Sequence, residues 1–470
     1  MSTSIKFLIF AIALVFATGG YLVMTHLKLA PRRVAATSAP APAAVPVPTS
    51  TATTTNAGST QSAAGTSVDP ALAKVYGECV SGAFPTQADA AARAAACSTA
   101  LQSRQLKPDE IAAARLVRGI ARTALGDKEL ASEDYVDAVQ RYDRLINPGN
   151  ADALNLFRRA AALDAIGQTD KALDDYNEAI KSDPKASLAF LGRGVLLAVR
   201  KRAYDRAIAD FDRVLELEPD NVDGLIARGD AFSQLGNPGR AMVDLNRAVT
   251  LAPTRAIAYV ARGQAENRRG NITEAAQNYE QALIHDPRQV AALVSLAAIQ
   301  SITGRYEAAI GNLDKAIAVD ARNPVAFYNR GYAHYALKHY DKAIADYSSA
   351  IELDPKMGLA YNNRGLTRAI AGKDLTEALG DTDQALKLLP LNLDVCETRG
   401  FIFLKLGDPA LALVPYNSAL DIDPNRALAL YGRGLAKIRM GDTAAGRNDQ
   451  AAALTLNPDV AADFSRYGLE

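Results

Sequence analysis

Tryptophan is absent from this sequence, and cysteine (three) and histidine (four) are scarce. The few that exist form no C-x-x-C pair, no H-x-x-x-H pair and no mixed cluster, which removes the usual ligand spacings of a structural zinc site. Net charge is missing as well, since 52 Lys+Arg balance 52 Asp+Glu. A neutral chain with no long block of one sign has no electrostatic reason to bind nucleic acid, whose affinity comes from neutralising phosphates. G-x-S-x-G, a Walker loop and H-E-x-x-H do not occur, and His334 and His339 have neither a nucleophile nor a third orienting group nearby in sequence. No enzyme and no cofactor is therefore expected. Runs of Val and Thr are few beside abundant Ala, Leu, Arg and Asp, which favours helix over sheet.

At 470 residues the chain is too long for one ordinary core, so it is either several domains or a repeat array. Phe7 to Met24 is an apolar run of 18 residues preceded by Lys6, the lower limit for spanning a bilayer. An uncleaved anchor would use the whole run. A secretory signal would use Phe7–Phe16 and be cut after Ala17, and a soluble apolar first helix is the third possibility. Hydrophobicity resumes at Tyr21–Met24, beyond that cut, which favours the anchor. Lys28, Arg32 and Arg33 would, on charge bias alone, place the C-terminal side of the run in the cytoplasm. The stretch 31–69 is then mostly Ala, Pro, Thr, Ser, Val and Gly. It has too little apolar surface to fold and reads as a disordered tether.

From about residue 112 the chain repeats itself. Prolines fall at 148, 184, 219, 253, 287, 355, 390, 424 and 458, with Ala321 where one more is due, and the steps from Pro219 to Pro355 are each 34. Other residues keep step: Gly229, Gly263, Gly331, Gly400 and Gly434; then Gly236, Gly270, Gly304, Gly372, Gly407 and Gly441; then Ala241, Ala275, Ala309, Ala343, Ala378 and Ala412. The second Gly of each unit can end a helix with a left-handed residue. Small residues let two helices approach closely, and Asp-Pro or Glu-Pro stops the second helix. Each period is thus a helix–turn–helix hairpin.

These positions resemble the tetratricopeptide repeat. Nine units match, starting near Ala153, Ser187, Val222, Ala256, Val290, Pro324, Gly358, Leu393 and Ala427, and a degenerate one occupies 112–152. The subtype is similar to bacterial arrays with Arg before the first Gly: Arg193, Arg228, Arg262, Arg330, Arg364, Arg399 and Arg433. No unit has the family's Trp; Ala297 replaces one Gly and Gly446 one Ala. The resemblance implies an all-α, right-handed superhelical solenoid over 153–458, with a helical cap at 70–111 and a tail at 459–470. The region 1–30 precedes it as a signal-anchor segment.

It also implies a non-enzymatic scaffold whose partner is a protein or peptide held against the first helices of the units. The groove-facing candidates are Tyr328, Asn329, Tyr332, Tyr335, Asn362 and Asn363, with Asp223, Asp230 and Gln264 as a more polar stretch. Packing alone also produces a Tyr stripe at helical spacing. The Lys and Asn set of the chaperone-tail clamps in this family is not found. The Arg series is expected to be structural, pairing with neighbouring carboxylates, while most Asp and Glu are expected on solvent-facing positions. Residues 78–101 look like the leading cap of exported bacterial repeat proteins, which implies a Cys79–Cys97 disulfide; two buried thiols are the alternative. Such a bridge, with the tether, outweighs the charge bias and puts the array in the periplasm, held at the bacterial inner membrane or released there by signal cleavage. Cys396 is expected to be an inert buried thiol.

Overall fold

The computed structural model describes residues 13–16, 20–23, 70–80, 87–146 and 152–469. The tether at 31–69, the Ala17 cleavage position and most of the apolar run lie outside the described residues. Two pieces of that run, Ala13–Phe16 and Gly20–Val23, are strands paired antiparallel with Val15 opposite Tyr21, where an anchor would be helical. Among the described residues no helix is long and apolar enough to cross a membrane.

Everything else regular is helix, 23 in all among the described residues. Two cap helices, Pro70–Val80 and Gln87–Gln102, are joined by a Cys79–Cys97 disulfide (S–S 2.18 Å) and pack with Ala114 and Val117. A hairpin comes next, Pro108–Leu125 and Lys128–Leu145. The nine hairpins after it have first helices beginning at Ala153, Ser187, Val222, Ala256, Val290, Pro324, Gly358, Leu393 and Ala427. The last residues, expected as a tail, contain one more helix, Val460–Arg466. Contacts divide the chain into two units, Ala39–Gln289 and Val290–Glu470 with Met1–Ser38.

The hairpin Pro324–Leu353 shows why each residue is where it is. Asn323 caps the first helix by accepting from the Ala326 backbone N–H (3.0 Å), and Pro324 starts it where no N–H is needed. Gly331 has no Cβ because one would stand 2.9 Å from the Tyr347 ring of the second helix. That close approach is what the Gly and Tyr signature encodes. Lys338 takes the left-handed turn (φ 63°) that Gly takes in most units, and Arg202 does the same in another (φ 52°), each at a cost of about 1 kcal/mol.

A second device joins neighbouring hairpins. Arg330 donates from Nε and Nη2 to the two oxygens of Asp346 (2.9 and 2.7 Å) on its own second helix. Its Nη1 reaches Asp314 (2.7 Å) on the second helix of the preceding hairpin. The same fork holds Arg159 to Asp175, Arg193 to Asp210, Arg228 to Asp244, Arg364 to Asp381 and Arg433 to Asp449. One guanidinium thus ties three helices, and a planar fork suits it better than an ammonium would. One set of aspartates departs from the solvent-facing majority of the acids. Asp134, Asp175, Asp210, Asp244, Asp346, Asp381 and Asp449 are buried, because each must meet an arginine between helices.

The series breaks where the sequence does. In the unit Ala39–Gln289, Arg262 meets the uncharged Asn278 (2.6 Å). In the other unit Leu296 replaces the arginine, and Pro415 stands inside helix Pro409–Ile422 where the aspartate of Arg399 is due. Arg399 keeps Asp383 (2.9 Å) and leaves its Nε without a hydrogen bond.

Candidate peptide-binding face

The first helices Pro324–Ala336, Gly358–Ala371 and Leu393–Leu406 carry the six expected binding residues and their neighbours. All six are buried, none more than 7% exposed. Tyr328 packs against Tyr347 of its own hairpin (ring centroids 5.8 Å) and accepts a hydrogen bond from Asn363 Nδ2 (3.0 Å) of the next. Those two residues therefore form an inter-hairpin contact. Tyr332 sits edge-on to Tyr306 at 6.4 Å, and Tyr335 lies 6.0 Å from Tyr340. The three tyrosines do not make one open stripe: helical spacing aligns their Cα atoms, but Tyr328 and Tyr335 pack on the second helix of their own hairpin and Tyr332 on that of the preceding one.

The polar members behave differently. Asn329 Nδ2 and Asn362 Oδ1 are buried without a hydrogen-bond partner, as are Ser295 Oγ and Ser301 Oγ on helix Val290–Ile302. In the unit Ala39–Gln289, Gln264 Nε2 and both polar atoms of Asn267 are in the same condition, all on helix Ala256–Arg268. Every buried Ser, Asn or Gln atom left unpaired among the described residues belongs to a first helix. Of the more polar stretch, Asp223 pairs with Arg255 and Asp230 is raised above the usual carboxylate range by burial.

Farther along, Arg426 serves two carboxylates. Its Nε and Nη2 reach Glu397 (2.9 and 2.5 Å), and Nη2 also reaches Asp394 (2.6 Å). Burial pushes both carboxyls above their ordinary values despite the guanidinium. Glu397 shares a pocket with Tyr335, Leu366, Phe401, Tyr416 and Phe464. Cys396 is free and buried, and burial raises its thiol pKa, which keeps it unreactive. His334 and His339 approach through their Nδ1 atoms (3.4 Å), but among the described residues no group of three side chains is placed to hold a metal.

Stacked hairpins fastened by glycine contacts and arginine forks define a helical-repeat protein. Tetratricopeptide repeat profiles match residues 157–221, 196–266, 302–338 and 324–357. Residues 157–266 and 302–357 thus match tetratricopeptide repeats, and proteins with these repeats are generally interaction scaffolds and typically non-enzymatic. It is 34% identical over 98 residues to the small glutamine-rich tetratricopeptide repeat-containing protein 2 of Mycosarcoma maydis; the match spans 21% of this chain and 28% of that protein's length. A chain of the APC/C hetero-tetramer Cut9–Hcn1 has a similar fold, with TM-score 0.50 and 19% identity over 82% of this chain and 84% of that one. YrrB, a repeat protein with an unusual peptide-binding site, is similar over 40% of this chain and 97% of its own, with TM-score 0.35 and 23% identity.

Proposed function

We propose that this chain is a non-enzymatic scaffold of the bacterial cell envelope that holds a protein or peptide against its first helices and so assists assembly of a complex. The unpaired amides and serine hydroxyls on those helices carry this reading. A buried polar atom without a partner costs about 1–3 kcal/mol; the Ser, Asn and Gln atoms in that state among the described residues lie on first helices, while tyrosine hydroxyls in that state occur on both classes of helix. The arginine series meanwhile satisfies the acids of the second helices. Amide side chains that donate and accept are suited to the backbone of an extended peptide, which would supply the missing hydrogen bonds. The Cys79–Cys97 bond supports an oxidising compartment. In this reading residues 1–30 attach the chain to the inner membrane, 31–69 space it off, and the repeats face the periplasm. Mass measurement of the mature N-terminus separates attachment from release by cleavage.

The test is affinity capture from the native host. Wild type, an Asn329→Ala/Asn362→Ala variant and an exposed second-helix control, Glu352→Ala, are compared at equal helicity. The expected result is a captured protein retained by the control and lost by the double variant. Equal capture by all three overturns the assignment of the binding face.

A further inference from the structure

The helix Val460–Arg466 starts where another first helix is due, one period after Ala427. A helix that merely covered the end of the array would rest on the last hairpin alone. This segment reaches much farther. Phe464 lies 5.0 Å from Tyr431 and 6.2 Å from Phe401, on the first helices Ala427–Arg439 and Leu393–Leu406. Gly468 then turns the chain with φ 74°, closed by the Leu469 N–H donating to the Phe464 carbonyl (3.1 Å). The turn sets Tyr467 edge-on to Phe401 at 6.1 Å, and Lys405 Nζ donates to the Tyr467 carbonyl (2.8 Å). Tyr467 and Phe464 line the same pocket as Leu366 and Tyr335, which stand on still earlier first helices. Phe464 and Leu469 are both buried. The segment thus presents two aromatic rings three residues apart and one backbone acceptor to the first helices of four successive hairpins.

We propose that this pocket is a binding site for a peptide of that chemistry: a Phe, a Tyr three residues on, and a carbonyl placed for Lys405. Phe464 and Tyr467, which wall it in cis, compete with the incoming peptide for the same first-helix residues. The proposal rests on the first-helix face being the binding face. It adds which part of that face binds, what it selects and what holds it closed. Aromatic anchors in an apolar pocket, with one polar contact fixing direction, are the usual carriers of such affinity.

The probe is a fluorescent synthetic peptide covering residues 459–469, titrated by anisotropy into the full chain. A Phe464→Ala/Tyr467→Ala variant frees the pocket and is expected to bind it at least tenfold tighter than wild type. Adding Phe401→Ala to that variant is expected to abolish binding. Gly468→Val strains the positive-φ turn without touching the aromatic rings, and it is expected to give a smaller gain; it decides the matter if the double variant loses helicity. Equal binding by wild type and folded variants, or no binding by any, overturns the proposal. Host-partner capture that still depends on Asn329 and Asn362 in that event leaves the scaffold reading standing.

Discussion

The chain buries the same kinds of charge in opposite proportions at two places. In the hairpin Pro108–Leu145, three arginines converge on one acid: Arg115, Arg118 and Arg122 donate to Asp134 at 2.6–2.9 Å. In the last hairpins one arginine, Arg426, serves two acids, Glu397 and Asp394. Burial acts on the carboxylates in both places, but the balance differs. At Asp134 burial alone would raise the carboxyl, and hydrogen bonds from Arg118 and Arg115 outweigh it, holding the group below its usual range. At Glu397 burial wins over Arg426 and the group stays raised. Surplus cation makes a fastening, whereas surplus carboxylate leaves a region poised to change state. The second cluster is also the one that borders the aromatic pocket, where perturbed groups and function tend to coincide.

The contrast breaks first at Arg426. Arg426→Met leaves the buried Glu397 and the half-buried Asp394 without their cation, and the expected loss is about 3 kcal/mol at neutral pH, read as lost hydrogen-exchange protection across Leu393–Leu406. Arg115→Met should cost about 1 kcal/mol or less, since Arg118 and Arg122 still hold Asp134. Equal losses would mean that stoichiometry does not set the difference. The next effect concerns the support of the first cluster. Arg118 also donates to Ser98 Oγ (3.1 Å) on the helix that carries Cys97. Cys79→Ser/Cys97→Ser removes a bridge over a separation of 18 residues, worth about 3 kcal/mol by loop closure. Protection of Gln87–Gln102 should fall by that order while Leu393–Leu406 is unchanged, because a repeat array responds locally. An equal loss at both places would contradict that independence.

The repeat frame was legible because its signals are local: a stopping proline, a left-handed glycine, a small residue under a ring. The structural role of the arginines was legible for the same reason. Their partners were not, because Asp346 looks like one more polar residue on its own helix and is buried only when Arg330, 16 residues earlier, swings across. An Arg-to-Asp spacing of 16 or 17 through the units was the available signal. The burial of Tyr328, Tyr332 and Tyr335 was not legible, because helical spacing fixes where side chains start, not which neighbouring helix takes them. The segment at Phe464 escaped notice although Asn457-Pro458 precedes it as Asp-Pro precedes the regular units. Its docking depends on residues four hairpins back, which no local pattern reports.

The smallest and most discriminating effect is that of pH. A raised folded-state carboxyl holds its proton after the unfolded chain, at about pH 4.3 for Glu, has released one. Between those two values the folded state binds more protons, so raising pH through the window lowers stability. Glu397 is such a group; Asp134, held low, contributes stability that is present above the unfolded Asp value of about 3.9 and is lost only as pH falls below it. Protection of Leu393–Leu406, corrected for intrinsic exchange chemistry, should therefore decline as pH rises above about 4.3, by at most about 1.4 kcal/mol per proton per pH unit. Lys128–Leu145 should stay level over the same range. Glu397→Gln removes the titrating proton while keeping the side chain's size, and it should reduce the slope to whatever Asp394 supplies. A slope unchanged by that substitution would assign the titration elsewhere and remove the basis for treating the second cluster as poised rather than fixed.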